Sequence, residues 1–210
     1  MGWIRIDRVT WAERALWVAS VAAAIIPVAL IPGAEEVARA YIAAVNSGDV
    51  DAAMDLTGPD TVLRPVLGGG FYRGEEIRPV LEWRAALGER WRVVSWRPDS
   101  RHREVHAELE ISNRAWTLAG LRPVVRSVFV VRQGRIRLDS ALGGASRELR
   151  PALRPFLQWT FEERPEELGS IWQDRHLVFG VEAARDLTRL LEAWRAAGQG
   201  VAEEPSTGQG

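Results

Sequence analysis

The stretch "AYIAAVNSGDVDAAMDL", Ala40 to Leu56, reads as two helices joined by a tight turn. Val37, Tyr41 and Val45 recur every four residues, and Ala40 and Ala44 thicken the same stripe. That spacing gives the first helix one apolar face. Glu35 and Glu36 precede it and suit its first turn, where carboxylates meet the positive end of the helix dipole. "NSGD" closes the helix, and Asp49 is placed to cap the short second one.

Downstream, "TVLRP" reads as a short strand and "LGGG" as a turn. "GEEIRPVLEWRAALG" is a third helix, with Pro79 early enough to be tolerated in its first turn. Four segments of strand character follow: "RWRVVSWRP", "REVHAELEISNRAWTLAG", "PVVRSVFVV" and "RIRLDSAL". Short turns between them imply an antiparallel meander covered on one side by helices. In the longest segment Val105, Ala107, Leu109, Ile111, Asn113 and Ala115 fall on one face. His106, Glu108, Glu110, Ser112, Arg114 and Trp116 fall on the other. In the next, Arg126 shares a face with Val124, Val128 and Val130. The fold class is therefore α+β: a curved antiparallel sheet wrapped on three N-terminal helices.

The flanks differ from this middle part. Arg5, Arg8 and Arg14 precede an uncharged run from Ala15 to Ile31 that contains Ser20 and Pro27. A membrane-spanning helix needs about 17 or more apolar residues, and the basic flank favours an N-terminus kept in the cytoplasm. The run is read as an uncleaved membrane anchor that leaves the domain outside the cytoplasm. A cleaved signal peptide with a secreted product is an alternative, and so is an apolar helix docked on the domain. From Ser146 the chain turns helical again, with Pro151 and Pro165 as first-turn prolines. Ala183, Leu187, Leu190, Leu191 and Trp194 form the apolar face of a last helix closed by Gly198. Four parts result: an anchor or signal segment at 1–32, a domain at 33–144, a helical extension at 145–198 and a disordered tail at 199–210.

Composition removes several functions. Without cysteine there is no disulfide, thiolate metal site or cysteine nucleophile. A net charge of -1 gives no general attraction to nucleic acid. With three histidines, a histidine-rich metal site is not expected, and no pattern implies a cofactor. All 27 residues counted as lysine or arginine are arginine, so any cationic site is a guanidinium site, suited to bidentate anion binding.

The element order, together with "AYIAAVNSGDVDAAMDL", "GFYRGEEIRPVL" and "VVRQGRI", resembles the nuclear transport factor 2-like superfamily. This is the cone fold that includes ketosteroid isomerase and the SnoaL-like polyketide cyclases. The resemblance covers about residues 35–141. It implies a cone with an apolar pocket at its open end and, often, pairing of two copies through the outer sheet face. Ketosteroid isomerase uses an aspartate base with a tyrosine and a neutral aspartic acid. By this resemblance Tyr41 falls at the tyrosine, Arg64 at the base and Arg126 at the second acid. A guanidinium stays protonated and cannot abstract a proton. That chemistry is therefore not expected. Nor is that of limonene epoxide hydrolase, whose arginine and aspartate two apart are replaced here by Ile111, Asn113 and Ala115.

The ligand-binding candidates are thus Tyr41, Arg64, Asn113 and Arg126. Arg64 and Arg126 converging at the cone mouth would bind the carboxylate or phosphate of a small amphipathic anion. Alternatively each arginine forms an internal ion pair with Asp55, Asp60 or Asp139. His106, Glu108 and Glu110 read as a solvated or dimer-facing surface. The aromatic stretch from Pro155 to Phe179 reads as helices packed on the domain, across the cone mouth. The functional expectation is a membrane-anchored, non-catalytic binding or interaction domain. A SnoaL-like enzyme with other catalytic residues and a purely structural dimerisation module are the alternatives. An inward-facing acid within reach of Tyr41 would favour the enzyme, and a cone filled by side chains the structural module.

Overall fold

A computed structural model describes residues 32–67, 70–142, 145–174 and 176–198. The N-terminal apolar run and the tail from 199 lie outside the described residues. Among the described residues no helix is long and apolar enough to cross a membrane.

Helix α1 (Ala34–Ser47) buries Val37, Ala38, Tyr41, Ile42, Ala44 and Val45. Ala40 is exposed and Ala38 takes its place in the stripe. Gly48 closes the helix at φ 74, and its N–H donates to the carbonyls of Ala44 and Val45. Only glycine adopts that left-handed conformation without strain. The turn presents the Asp49 carboxylate to the N–H of Ala52, 2.9 Å away, at the start of α2 (Val50–Asp55).

Strand β1 (Thr57–Arg64) leads to β2 (Tyr72–Arg73), a single 3-10 turn (Gly74–Glu76) and α3 (Ile77–Ala86). The meander follows as β3 (Arg90–Asp99), β4 (Glu104–Ser112), β5 (Val124–Arg132) and β6 (Arg135–Leu142). A short helix, α4 (Arg114–Leu118), interrupts it between β4 and β5. The sheet has six strands in the order β2-β1-β6-β5-β4-β3. It is not wholly antiparallel, because β1 runs parallel to β6. Residues 65–134 connect β1 to β6, far more than a parallel crossover needs.

Three local readings change. Strand β4 ends at Ser112, and Asn113 caps α4 by accepting from the N–H of Trp116 at 2.8 Å. The strict alternation read through Trp116 therefore stops four residues early, and Trp116 is buried rather than on the outer face. On β5 the inward residues are Val125, Ser127, Phe129 and Val131, opposite to the expected phase. Antiparallel pairing of Val105 with Phe129 and Leu109 with Val125 sets this, because both partners must face the same core. Finally, Pro151 and Pro155 lie inside α5 (Ala145–Glu163), which begins earlier than a first-turn proline would require.

The remaining elements are α6 (Pro165–Ile171), the two-residue strands β7 (Trp172–Gln173) and β8 (His176–Leu177), and α7 (Val181–Ala196). Pro165 opens α6 as expected. α7 buries the expected Ala183, Leu187, Leu190, Leu191 and Trp194. These side chains, with Leu149, Leu153 and Phe156 of α5, join the same apolar cluster as Ile111 and Trp116 of the sheet side. Each large side chain so buried contributes roughly 1.5–3 kcal/mol. The helical extension is thus packed into the core of the cone.

Candidate functional site

Tyr41 projects from α1 into the cone, wholly buried, with its ring edge-on to Trp91 and Phe129 at 6.2 and 6.1 Å. Its hydroxyl donates to Oδ2 of Asp139 at 3.1 Å. The same oxygen accepts from Nη1 of Arg84 at 3.3 Å. Arg84 sits on the buried face of α3 and also pairs through Nε with Oε1 of Glu89 at 3.5 Å. The turn after α3 makes this second pair possible. Gly88, at φ 65, lets the N–H of Glu89 reach back to the carbonyl of Arg84 at 2.9 Å.

Glu89 is held from two further sides. The indole N–H of Trp91 donates to Oε1 at 2.7 Å, and the amide of Asn113 donates to Oε2 at 3.0 Å. The Arg84 guanidinium also lies 4.7 Å from the Trp91 ring centroid, a cation–π distance. Tyr41, Arg84, Glu89, Trp91, Asn113 and Asp139 are all buried. A buried charge persists only when it is paired and hydrogen-bonded. Here two carboxylates share one guanidinium and receive three neutral donors.

The electrostatics follow from that packing. Burial, followed by the Asp139 carboxylate, pushes the Tyr41 hydroxyl far above the ordinary phenol range, and the Arg84 charge offsets this only in part. Burial opposes the charge on Arg84, but Asp139, Tyr41 and Glu89 together hold its pKa above the ordinary arginine value.

Beside this network lies a cavity of about 30 Å³. Its wall includes Arg84, Glu89, Trp83, Ile111 and Trp116 from the cone. Leu149, Leu177 and Phe179 come from the helical extension and close it. Phe179 stands edge-on to Trp83, with centroids 5.4 Å apart. The volume is on the scale of one or two water molecules, far below the roughly 300–1,000 Å³ of a small-molecule site. The cone is therefore largely filled by side chains. The indole N–H of Trp83, on the same wall, has no acceptor among the described residues. Leu67 forms part of this wall and part of an open groove of about 580 Å³ on α5 and β7.

Of the four residues expected to bind ligand, Tyr41 and Asn113 meet in the buried network. Neither lines the cavity. Arg64 and Arg126 do not converge. Leu63 points inward from β1, so Arg64 points out, where its guanidinium lies 5.6 Å from the exposed ring of Phe71. Arg126 is on the outer sheet face, its side chain 78% exposed and paired with Glu108 at 3.3 Å. The inverted phase of β5 is the reason. Two of the three acids expected as their alternative partners are engaged elsewhere, Asp60 by Arg137 at 2.8 Å and Asp139 by Arg84 at 3.3 Å. On the same outer face Arg92 pairs with Glu110, and His106 lies 3.4 Å from Glu104.

Arg84, Glu89 and Asp139 were not among the expected site residues. Arg84 was legible, because it follows Ile77, Val80 and Leu81 on the apolar stripe of α3. Asp139 was not. A register shift between Val130 and Val131 lets both Ile136 and Asp139 face inward, three residues apart, where simple alternation would put them on opposite faces.

The chain matches no protein-family model and no curated protein. About half of it is similar to solved structures. A candidate polyketide cyclase from Sinorhizobium meliloti is 20% identical, with 49% of this chain and 90% of that chain covered at a TM-score of 0.40. The epoxide hydrolase/cyclase-like enzyme SalBIII, associated with pyran ring formation in the polyether salinomycin, is 16% identical over 50% of this chain and 86% of that one, with a TM-score of 0.46. A nuclear transport factor 2-like protein of unknown function from Cytophaga hutchinsonii is 14% identical over 50% and 85%, with a TM-score of 0.41.

Proposed function

We propose that this chain, whose fold is the nuclear transport factor 2-like cone, is a non-catalytic binding domain for a small, largely apolar ligand held outside the filled cone, on the side of the helical extension. The observation that carries this reading is the mutual commitment of the buried charges. Among the described residues, Arg84, Glu89 and Asp139 satisfy one another inside the cone. Tyr41 and Asp139 lie off the cavity wall, and Glu89, the acid on that wall, is held by Arg84, Trp91 and Asn113. The apolar run from Ala15 to Ile31 supports a membrane anchor that holds the domain on the outer side.

One observation favours a second, catalytic reading. Asp139 faces inward and lies 3.1 Å from the Tyr41 hydroxyl. Opening of the cap formed by Leu149, Leu177 and Phe179 would be needed to bring a substrate to that pair. Arg84 already donates to Oδ2 of Asp139 at 3.3 Å, so the oxygen facing Tyr41 is shared with a second donor.

Native mass spectrometry of the full-length protein tests the first reading. The expected result is a retained molecule of small-ligand mass that also raises the unfolding temperature when added back. Absence of any retained or added apolar ligand overturns it. A turnover that is lost in both Tyr41→Phe and Asp139→Asn, with ligand retention intact, replaces it by the catalytic reading. Recovery of the protein in the soluble fraction with Met1 still present overturns the anchor.

A further inference from the structure

The helical extension carries its own pattern of charge. Arg114 pairs with Glu192, Arg164 with Glu167, Arg185 with Glu182, and Arg189 with Glu167 and Asp186. Arg154 on α5 has no ion-pair partner among the described residues. It lines the open groove of about 580 Å³, whose base is formed by the buried Leu67 and Leu153 and whose sides include Leu157 and Trp172. Among the described residues no carboxylate lines the groove. The nearby Glu162 accepts from the amide of Gln158 at 2.9 Å, one turn further along α5.

From this we infer that the groove binds a single-chain amphiphile with a carboxylate head, the Arg154 guanidinium pairing with the head and the apolar walls holding the chain. The inference rests on the binding-domain reading and names its ligand class. The groove volume lies in the range of small-molecule sites, unlike the small cavity on the other side of Leu67. Apart from Gln158 its described walls are apolar, and the one charged lining side chain among the described residues is a guanidinium, which matches a carboxylate in a two-point fork. An anionic ligand was expected at Arg64 and Arg126. Those residues point outward, and the cation beside an apolar groove is supplied instead by the extension.

The test uses the full-length protein in phosphatidylcholine nanodiscs, titrated calorimetrically with decanoate, decanol and decyltrimethylammonium against empty discs. Decanoate is expected to bind at least about tenfold more tightly than decanol, the scale of one charge-assisted hydrogen bond, with the ammonium weakest. Arg154→Ala removes that preference, and Arg154→Lys restores part of it. Arg154 is exposed on its helix, so both variants keep the fold. Leu157→Gln weakens decanoate and decanol alike. Equal binding of decanoate and decanol, or a preference that survives Arg154→Ala, overturns the carboxylate assignment and leaves the binding domain standing. Binding that tracks the lipid of the disc and ignores added decanoate also overturns it, in favour of a membrane headgroup. If none of the three amphiphiles binds and no ligand is retained on purification, the binding-domain reading itself falls.

Discussion

Replacing Arg84 by methionine removes the one cation that the two buried carboxylates share. Arg84 lies 3.3 Å from Asp139 and 3.5 Å from Glu89, and the three side chains are 8%, 4% and 5% exposed. Methionine fills much of the same volume, so the packing loss is small and the electrostatic loss dominates. Breaking a buried ion pair from one side costs about 3–5 kcal/mol, because the partner stays buried without compensation. Glu89 keeps its bonds from Trp91 and Asn113, and Asp139 keeps the Tyr41 hydroxyl. The expected loss is therefore about 4 kcal/mol rather than twice that. Small domains are stable by roughly 5–15 kcal/mol, so the variant remains folded near the margin. Urea unfolding followed by tryptophan fluorescence reads the effect. With a slope of about 2 kcal/mol per molar, the midpoint falls by about 2 M. The triple variant Arg84→Met, Asp139→Asn, Glu89→Gln removes the unpaired charges together and recovers more than half of the loss. A loss below about 1 kcal/mol in the single variant, or no recovery in the triple, would refute the shared-cation account.

Further outcomes follow from the same structure. Tyr41→Phe costs about 1.5–2 kcal/mol at neutral pH, the value of a hydrogen bond to a charged group. The folded-state pKa of Tyr41 is raised by burial, so its contribution is present below about pH 10, where the unfolded phenol titrates, and is lost as pH rises above that. Thermal unfolding from about pH 8 to pH 11 shows the decline in the native chain and a flatter profile in Tyr41→Phe, with Tyr72 adding a residual slope of the same sign. His102, hydrogen-bonded by the Asp99 carboxylate at 2.7 Å, titrates above the ordinary histidine value in an NMR pH series, and Asp99→Asn returns it. Gly48→Ala places a side chain at φ 74 and lowers stability by about 1–2 kcal/mol in urea unfolding. Leu177→Ala in the cap costs about 2–5 kcal/mol and raises binding of an apolar dye as the cavity opens.

The local elements were legible where one residue type answers one local demand. The stripe on α1, the glycine turn at Gly48, the Asp49 cap and the apolar face of α7 depend on neighbours within a few residues, and each stands as the spacing implies except that Ala38 replaces Ala40 in the stripe. The inward phase of β4 from Val105 to Ile111 was equally plain, because it alternates without a break. The phase of β5 was not. "PVVRSVFVV" is apolar on both faces, so alternation alone left two choices. Pairing with β4 made the choice, turning Phe129 inward and Arg126 outward.

The candidate site divides along the same line. By itself the amino-acid sequence determined that no cysteine chemistry is present, that every strong cation is arginine, and that Tyr41 lies on a core face. Tertiary structure alone decided which charges meet. Arg84 and Asp139 are separated by more than fifty residues, and their contact depends on a one-residue shift at the β5–β6 pairing. A buried ion pair is a property of two strands and a helix held in register, and a shift of one residue exchanges inside for outside. The same rule removed Arg64 and Arg126 from the cone mouth and left Arg154, on a helix outside the expected domain, as the cation beside an apolar groove.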